Sequence, residues 1–371
     1  MASVSSNVTT TATSNSRGDV EHRVRTNDSV VTCTVDAVSG TVTSRVPARV
    51  GLVGNPSDGH GGAVVATVVP ALAATVSVRR GEPEQQLPPI ISVALDALAA
   101  HLQRDCGQAG AQLLERPLEG PLEGPREQVL EGRIGQPLGE PVGPLHVEWT
   151  TTIPVSVGLA GSSALAIAAI DAAATLWGHR LDRRVLAALA LAAEVDGLGV
   201  AAGWQDRIAQ SLGGTVLVDA AQMSVVDGLA VPAARRLRLP VLVELVVAWH
   251  AEQASGSGGY HGHLRSGGGQ VADAMSVLAV LARTAAAALE DGDLDGFADA
   301  VDETWRVRQE AAPLRADHAA LVESIRTIGA PATTPGSGGS VVAVVRSPAQ
   351  RAAALAAVRD VGATAIMLQM Q

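Results

Sequence analysis

Two carboxylates and one glycine-serine loop hold the chemistry that this sequence could support. Glu194 stands near the end of an apolar segment, residues 183–196, among Ala, Leu and Val neighbours. Asp206 follows a glycine-punctuated turn, 197–203, within Ala201-Ala202-Gly203-Trp204-Gln205-Asp206-Arg207. A carboxylate in apolar surroundings needs a cation or a hydrogen-bond donor, because its desolvation is costly. Each therefore has two readings. Glu194 is either a group used in a reaction or half of an ion pair with an arginine from elsewhere. Asp206 is either a reacting carboxylate, a helix-start residue or a partner of Arg207. Upstream lies Pro154-Val155-Ser156-Val157-Gly158-Leu159-Ala160-Gly161-Ser162-Ser163-Ala164-Leu165, followed by an alanine-rich run to Leu176 that reads as a buried helix. Glycines let backbone N–H groups approach an anion, and a helix N-terminus adds about half a positive charge. Serine hydroxyls there cap the helix or meet phosphate and Mg²⁺. The ligand suited to such a loop is a nucleotide phosphate, although a plain turn ahead of a buried helix has the same composition.

The rest of the chain limits what these groups can be. All 27 basic side chains are arginine, against 37 acidic ones, for a net charge of −10. Without lysine, neither a Walker A loop nor a protein-kinase strand lysine is possible. With no basic stripe, nucleic acid is excluded as the main partner. Two cysteines, Cys33 and Cys106, form no disulfide framework or zinc pattern and fit a reducing compartment. The start of the chain has no secretory pattern, and the apolar run 63–78 contains Pro70 and is too short to span a bilayer. A soluble cytoplasmic protein that meets neither membrane nor nucleic acid is expected, its partner a small molecule and its oligomeric state open.

The elements that must position the chemistry follow from pattern. Residues 1–44 read as a mobile polar tail, with room for a weak strand at its end. A strand then leads into the turn-rich 55–62, and helical spacing covers 89–106. The segment 114–144, with its Pro-Leu-Glu-Gly repeat, reads as a surface insertion. Strands are expected at 145–153, 213–219, 241–249, 340–346 and 363–369. Helices are expected at 183–196, 204–211, 271–290, 294–311, 315–328 and 348–360. This interleaving is an α+β protein of two domains, with a boundary near 225–240. Glycine-rich loops at 51–62, 158–163 and 335–340 strengthen a phosphate site together, where any one alone is weak. His261 and His263 offer two metal ligands without a third in view, and Trp204 reads as core packing rather than a stacking surface. Trp305, Arg306 and Arg308 read as a solvated or packed helix face, with a substrate contact as the alternative.

Three motifs in register carry a family resemblance. They are Val50-Gly-Leu-Val-Gly-Asn-Pro-Ser-Asp-Gly, the Pro-x3-Gly-Leu-x-Gly-Ser-Ser-Ala stretch from Pro154, and Gly336-Ser-Gly-Gly. Over about residues 46–346 the chain resembles the GHMP kinases, and within them the glucuronokinase-like sugar 1-kinases, whose turns are similar at 54–59, 158–163 and 201–210. The resemblance implies a ribosomal protein S5 domain 2-like N-terminal domain over 45–230 and a ferredoxin-like C-terminal domain over 231–371, facing each other across a cleft. It implies an ATP-dependent phosphotransferase that uses Mg²⁺ to phosphorylate a sugar or uronic acid, at its anomeric hydroxyl. A heptose or mevalonate-like acceptor, or a nucleotide-binding sensor without turnover, are the alternatives. Residue by residue, Gly158, Leu159, Ala160, Gly161, Ser162, Ser163 and Ala164 would hold the nucleotide. Ser163 and Glu194 would hold the metal, and Asp206 would be the catalytic aspartate. Arg49, Asn55, Ser57, Asp58, Gly336, Ser337 and Gly338 would shape the acceptor side, with Arg49 or Arg265 as the cation for a uronate carboxylate. The chain departs from the glucuronokinase-like pattern at Val155, where an arginine is usual, at Ala63, where a lysine is common, and at His60, where an aromatic is usual. These departures are expected near the acceptor pocket.

Overall fold

Long runs of Val, Ala and Thr, β-branched or small, favour extended chain covered on both faces. The computed structural model describes residues 12–14, 20–25, 31–36, 38–82, 86–114, 143–250, 268–311 and 314–371. In chain order it holds β1 (Ala12–Ser14), β2 (Val20–Arg25), β3 (Thr32–Asp36), β4 (Thr41–Val53) and a single 3₁₀ turn at Ser57–His60. Next come β5 (Ala63–Arg80), α1 (Pro89–Leu114), β6 (Leu145–Thr151), α2 (Gly161–Leu176) and α3 (Arg183–Ala192). The last runs on as a π-helical turn, Ala193–Gly197, before α4 (Gln205–Leu212), β7 (Thr215–Val226) and β8 (Leu229–Arg236). The second half comprises β9 (Val243–Trp249), α5 (Gly268–Asp291), α6 (Leu294–Ala311), α7 (Ala316–Arg326), β10 (Ala332–Thr333), β11 (Ser340–Val345), α8 (Pro348–Asp360) and β12 (Thr364–Met370).

The first sheet runs β3-β4-β5-β7-β8, with β6 also paired to β5. β5 is its spine, and residues 63–69 are all buried. Pro70 cannot donate to a ladder, and it falls in a register shift: Ala48 pairs with Val69 while Pro47 pairs with Ala73. β7 and β8 form a hairpin through Asp227 (φ 47°) and Gly228 (φ 75°), the positive pair that a tight two-residue turn demands. α2 lies on β4 and β5. Its Ala164, Ala166, Ala168, Ala169, Ala172 and Ala173 are fully buried, small enough for the helix to sit close to the sheet.

The second sheet runs β1-β2-β12-β9-β11-β10, antiparallel except for the parallel pair β2–β12. α5 packs across to β5, and one core joins the two halves, with Val50 and Ala169 in the same cluster as Val247 and Leu289. A second core lies on the other face of this sheet, where Val246, Leu321 and Val358 pack together. The α+β architecture read from the sequence is therefore observed, with two corrections. The expected tail, 1–44, is not wholly outside the fold, because β3 pairs with β4 from Thr32↔Arg45 to Asp36↔Thr41, and Val31 is buried. Apolar alternation there is weak, so pairing with β4 rather than local pattern makes the strand. The first sheet also continues to Arg236 through β8, beyond the boundary placed at 230. The 114–144 insertion falls largely outside the described residues. One helix among them, 269–291, is long and apolar enough to cross a membrane by length and composition. It buries Leu278, Ala282, Ala285 and Leu289 against the core.

Candidate active site

A cavity of about 610 Å³ opens where β4, the N-terminus of α2, the π-helical turn and α4 meet the loop before β11. Arg49, Asn55, Asp58, Glu194, Asp206 and Arg207 line it, together with the loop 158–163 and the backbone of Gly336 and Ser337. Residues from both halves of the chain are thereby brought to one wall.

Asp206 stands in the first turn of α4 with its side chain 20% exposed. Arg49 points from β4 and holds that carboxylate side-on, Nε donating to Oδ1 at 2.7 Å and Nη2 lying 2.6 Å from the same oxygen. The remaining nitrogen, Nη1, donates to the carbonyls of Gly158 (2.7 Å) and Pro335 (3.1 Å). One guanidinium thus ties together the carboxylate, the loop ahead of α2 and the loop ahead of β11. Arg207, one residue on, is buried and ion-paired with Glu194; its Nη1 lies 3.5 Å from Asp206 Oδ2 and donates to Gly203 O at 2.9 Å. Burial, reinforced by repulsion from Arg49, lowers the Arg207 pKa to about 9. Glu194 is therefore an ion-paired carboxylate here, as the structural reading of the sequence allowed, and its partner is Arg207. Asp58 is buried behind them, its Oδ2 accepting from Gln205 N at 2.8 Å. Burial, then the charge of Asp206, raises the Asp58 pKa above the ordinary carboxylate value. Gly203 is what lets that carboxylate in, since a Cβ there would collide with Asp58 Oδ2.

The loop ahead of α2 is shaped by left-handed backbone at Ser156 (φ 57°), Gly158 (φ 81°) and Ala160 (φ 63°). A Cβ on Gly158 would lie 2.8 Å from Gly338 O, so only glycine fits between the two loops. Ala160 occupies the N-cap of α2 without a side-chain cap, leaving the first N–H groups of a 16-residue helix turned to the cavity edge. Ser162 is exposed and Ser163 is buried. The Ser163 hydroxyl donates to Gln210 Oε1 at 2.6 Å, while Gln210 Nε2 donates to Ala160 O and Pro47 O, each at 2.9 Å. Gly158, Leu159, Ala160, Gly161, Ser162 and Ser163, which the resemblance assigns to the nucleotide, line the cavity. Ala164 is fully buried in α2 and does not line it, because the helix turns that Cβ toward the sheet.

On the acceptor side, Asn55 and Asp58 line the cavity, but Ser57 does not. Ser57 is turned inward, its hydroxyl donating to Ala63 O at 2.7 Å to close the turn. Gly336 and Ser337 reach the wall, whereas Gly338 (φ 121°) packs under the His318 ring away from it. Of the three departures, His60 and Val155 stand exposed at the cavity, while Ala63 is buried in β5 and touches no part of it. Arg265, His261 and His263 lie outside the described residues. Trp204 packs beside Ile208 and Val216, as core rather than cavity wall. Arg306 pairs on the surface with Glu303 and Glu310, and the Trp305 Nε1 donates to Glu323 Oε1 at 2.9 Å.

Three polar residues complete the site: two glutamines to which the sequence reading gave no role, and an arginine that it read, with Trp305 and Arg306, as a helix face. Gln210 fixes the loop ahead of α2, and Gln205 donates to Pro335 O at 3.3 Å. The third, Arg308, is 1% exposed and donates to Thr334 O (2.5 Å) and Gly336 O (2.7 Å). Its signal was periodicity: 308 continues the buried stripe Phe297, Val301, Trp305 along α6. The two glutamines sit on a short helix whose pattern gives no such clue.

Residues 128–214 match the GHMP kinases N terminal domain, and residues 285–364 match the GHMP kinases C terminal domain. The chain is 27% identical to Glucuronokinase 1 of Arabidopsis thaliana, across 80% of this chain and 82% of that protein. In fold it is similar to the Streptococcus pneumoniae phosphomevalonate kinase (TM-score 0.67, 12% identity, 89% of this chain and 99% of the other). It is also similar to the Lactococcus lactis galactokinase complexed with galactose (TM-score 0.62, 16% identity, 88% and 93%). With both domains matched and the two-domain fold shared, this chain carries the N- and C-terminal domains of the GHMP kinases and is an ATP-dependent kinase of an alcohol group.

Proposed function

We propose that the protein transfers the γ-phosphoryl group of ATP to a hydroxyl of a sugar or uronic acid, the anomeric one, as a soluble cytoplasmic enzyme. The observation that carries this reading is Asp206, held by Arg49 yet partly exposed in the same cavity as an uncapped helix N-terminus. The likeness to a glucuronokinase supports the acceptor class. So does the wall itself, where Asn55 Nδ2 and Arg207 Nε have no hydrogen-bond partner among the described residues, leaving donor capacity for an oxygen-rich acceptor. Among the described residues the wall carries two guanidiniums, Arg49 paired with Asp206 and Arg207 paired with Glu194, and either charge stands near enough to favour a uronate carboxylate.

In this reading the N–H groups at the start of α2, with Ser162, bind the phosphates. Asp206 accepts the acceptor's hydroxyl proton as its oxygen attacks the γ-phosphorus and the bond to the ADP oxygen breaks. Arg49 fixes the direction of that carboxylate, and the closed turn at 55–62 orients the acceptor. Ser163 and Glu194 line the cavity with hard oxygen donors, the kind Mg²⁺ takes through one carboxylate and substrate phosphates, and they would hold that ion by exchanging their present partners, Gln210 and Arg207, for it. When bound, Mg²⁺ supplies charge neutralisation on the phosphates.

The test is ADP release from Mg-ATP with free sugars, uronic acids, heptoses and mevalonate, with Asp206→Asn beside wild type. Turnover with a sugar or uronic acid, lost in the variant, is expected. Turnover with mevalonate alone would replace the acceptor, and ATP binding without turnover for any acceptor would make the protein a nucleotide sensor.

A further inference from the structure

The tripeptide Thr334-Pro335-Gly336 runs between two arginines that belong to different halves of the chain. The hydrogen bonds turn the first and third carbonyls one way and the second the other. Arg308, from α6, takes the outer two, Nη1 on Thr334 O at 2.5 Å and Nη2 on Gly336 O at 2.7 Å. The middle carbonyl, Pro335 O, faces the cavity side and accepts from Arg49 Nη1 (3.1 Å), Gly51 N (3.1 Å) and Gln205 Nε2 (3.3 Å). Arg49 then holds Asp206 with its other two nitrogens. Arg308 itself is fully buried and lines no part of the cavity.

We infer that Arg308 is a positioning residue for the Arg49–Asp206 pair: it fixes the two outer carbonyls, so that Pro335 O is aimed at Arg49 and the guanidinium plane is aimed at Asp206. A planar fork with donors on two nitrogens fits two carbonyls two residues apart, whereas an ammonium is a single point charge and cannot reproduce the geometry. The inference rests on the reading of Asp206 as the catalytic carboxylate for its effect on turnover, but not for its effect on Arg49.

The experiment separates those two. In protein labelled with ¹⁵N-arginine, the Arg49 Nε–H resonance, assigned by its loss in Arg49→Lys, reports the guanidinium directly and needs no acceptor. In Arg308→Lys, a roughly 10-fold or larger rise in its exchange rate with water is expected. With the acceptor found above, kcat is expected to fall about 10- to 100-fold while KM for ATP stays within about threefold. The double variant Arg49→Lys/Arg308→Lys is expected to be no slower than Arg49→Lys alone, because both act through one contact. An unchanged Arg49 resonance, or losses that multiply in the double variant, would overturn the inference. Should Arg308→Lys fail to fold, Arg308→Gln, which keeps N–H donors, is read by the same criteria. If Asp206→Asn keeps full turnover while the Arg49 resonance still responds to Arg308, the catalytic reading fails and the positioning stands.

Discussion

The loops 158–163 and 334–339 are both rich in glycine and serine, yet they present opposite polarity to the cavity. The first runs into α2, so its N–H groups gather at an uncapped helix end. The second runs into strand β11, which has no comparable dipole, and its carbonyls at 334, 335 and 336 all receive donors from arginine, glutamine or backbone. The element into which a glycine loop runs, and the cations standing behind it, decide whether the loop attracts an anion or orders a base. In the proposed function one loop serves the phosphates and the other the carboxylate.

Asp206→Asn strikes the carboxylate side hardest. A loss of kcat of about a thousandfold or more is expected, with affinity for a non-hydrolysable ATP analogue kept within about threefold by calorimetry. A parallel loss of nucleotide affinity would show that the two loops do not divide the work. On the phosphate side, Gly158→Ala places a Cβ 2.8 Å from Gly338 O at φ 81°, which pushes the loops apart. Strain of this kind costs about 1–3 kcal/mol. Analogue affinity should fall about tenfold, and an unchanged Kd would mean that the loops need not touch.

Smaller effects sharpen the contrast. Ser340 Oγ donates to Val157 O at 2.6 Å, one of the direct stitches between the loops. Ser340→Ala should lose about 1 kcal/mol, a fall in Tm of about 2 °C, without altering nucleotide affinity. The smallest signal concerns Asp58. Its pKa is raised chiefly by burial, so the protonated form is the one that the fold favours. Its contribution is fully present below the unfolded carboxylate pKa and is lost as pH rises through the folded value. Wild type should therefore lose Tm relative to Asp58→Asn as pH rises from about 4, and a difference that is flat with pH would remove the buried-acid account.

Much of the frame was legible, because helix periodicity and short apolar strands report burial directly. The bounds 294–311 and 348–360 were read to the residue. The gathering of Arg49 and Asp206 on one wall is consistent with motifs in register, yet their ion pair joins residues 157 positions apart and leaves no local trace. β8 was missed although Asp227-Gly228 is a hairpin signal, because Pro232 interrupts a short apolar run over which a domain boundary, 225–240, was placed. Ser57 was misplaced for a related reason: a serine in a turn offers its hydroxyl to solvent or to a nearby carbonyl, and composition does not say which.

The carbonyl of Pro335, shared by Arg49, Gln205 and Gly51, has one more consequence. Separating the halves of the molecule at that point would strip one acceptor from three donors at once. The floor of the cleft is thus its fulcrum. The opposite, solvent-facing side of the same cavity, at His60 and Val155, carries no such shared acceptor among the described residues, so the cleft is stitched along its floor and open at its lip.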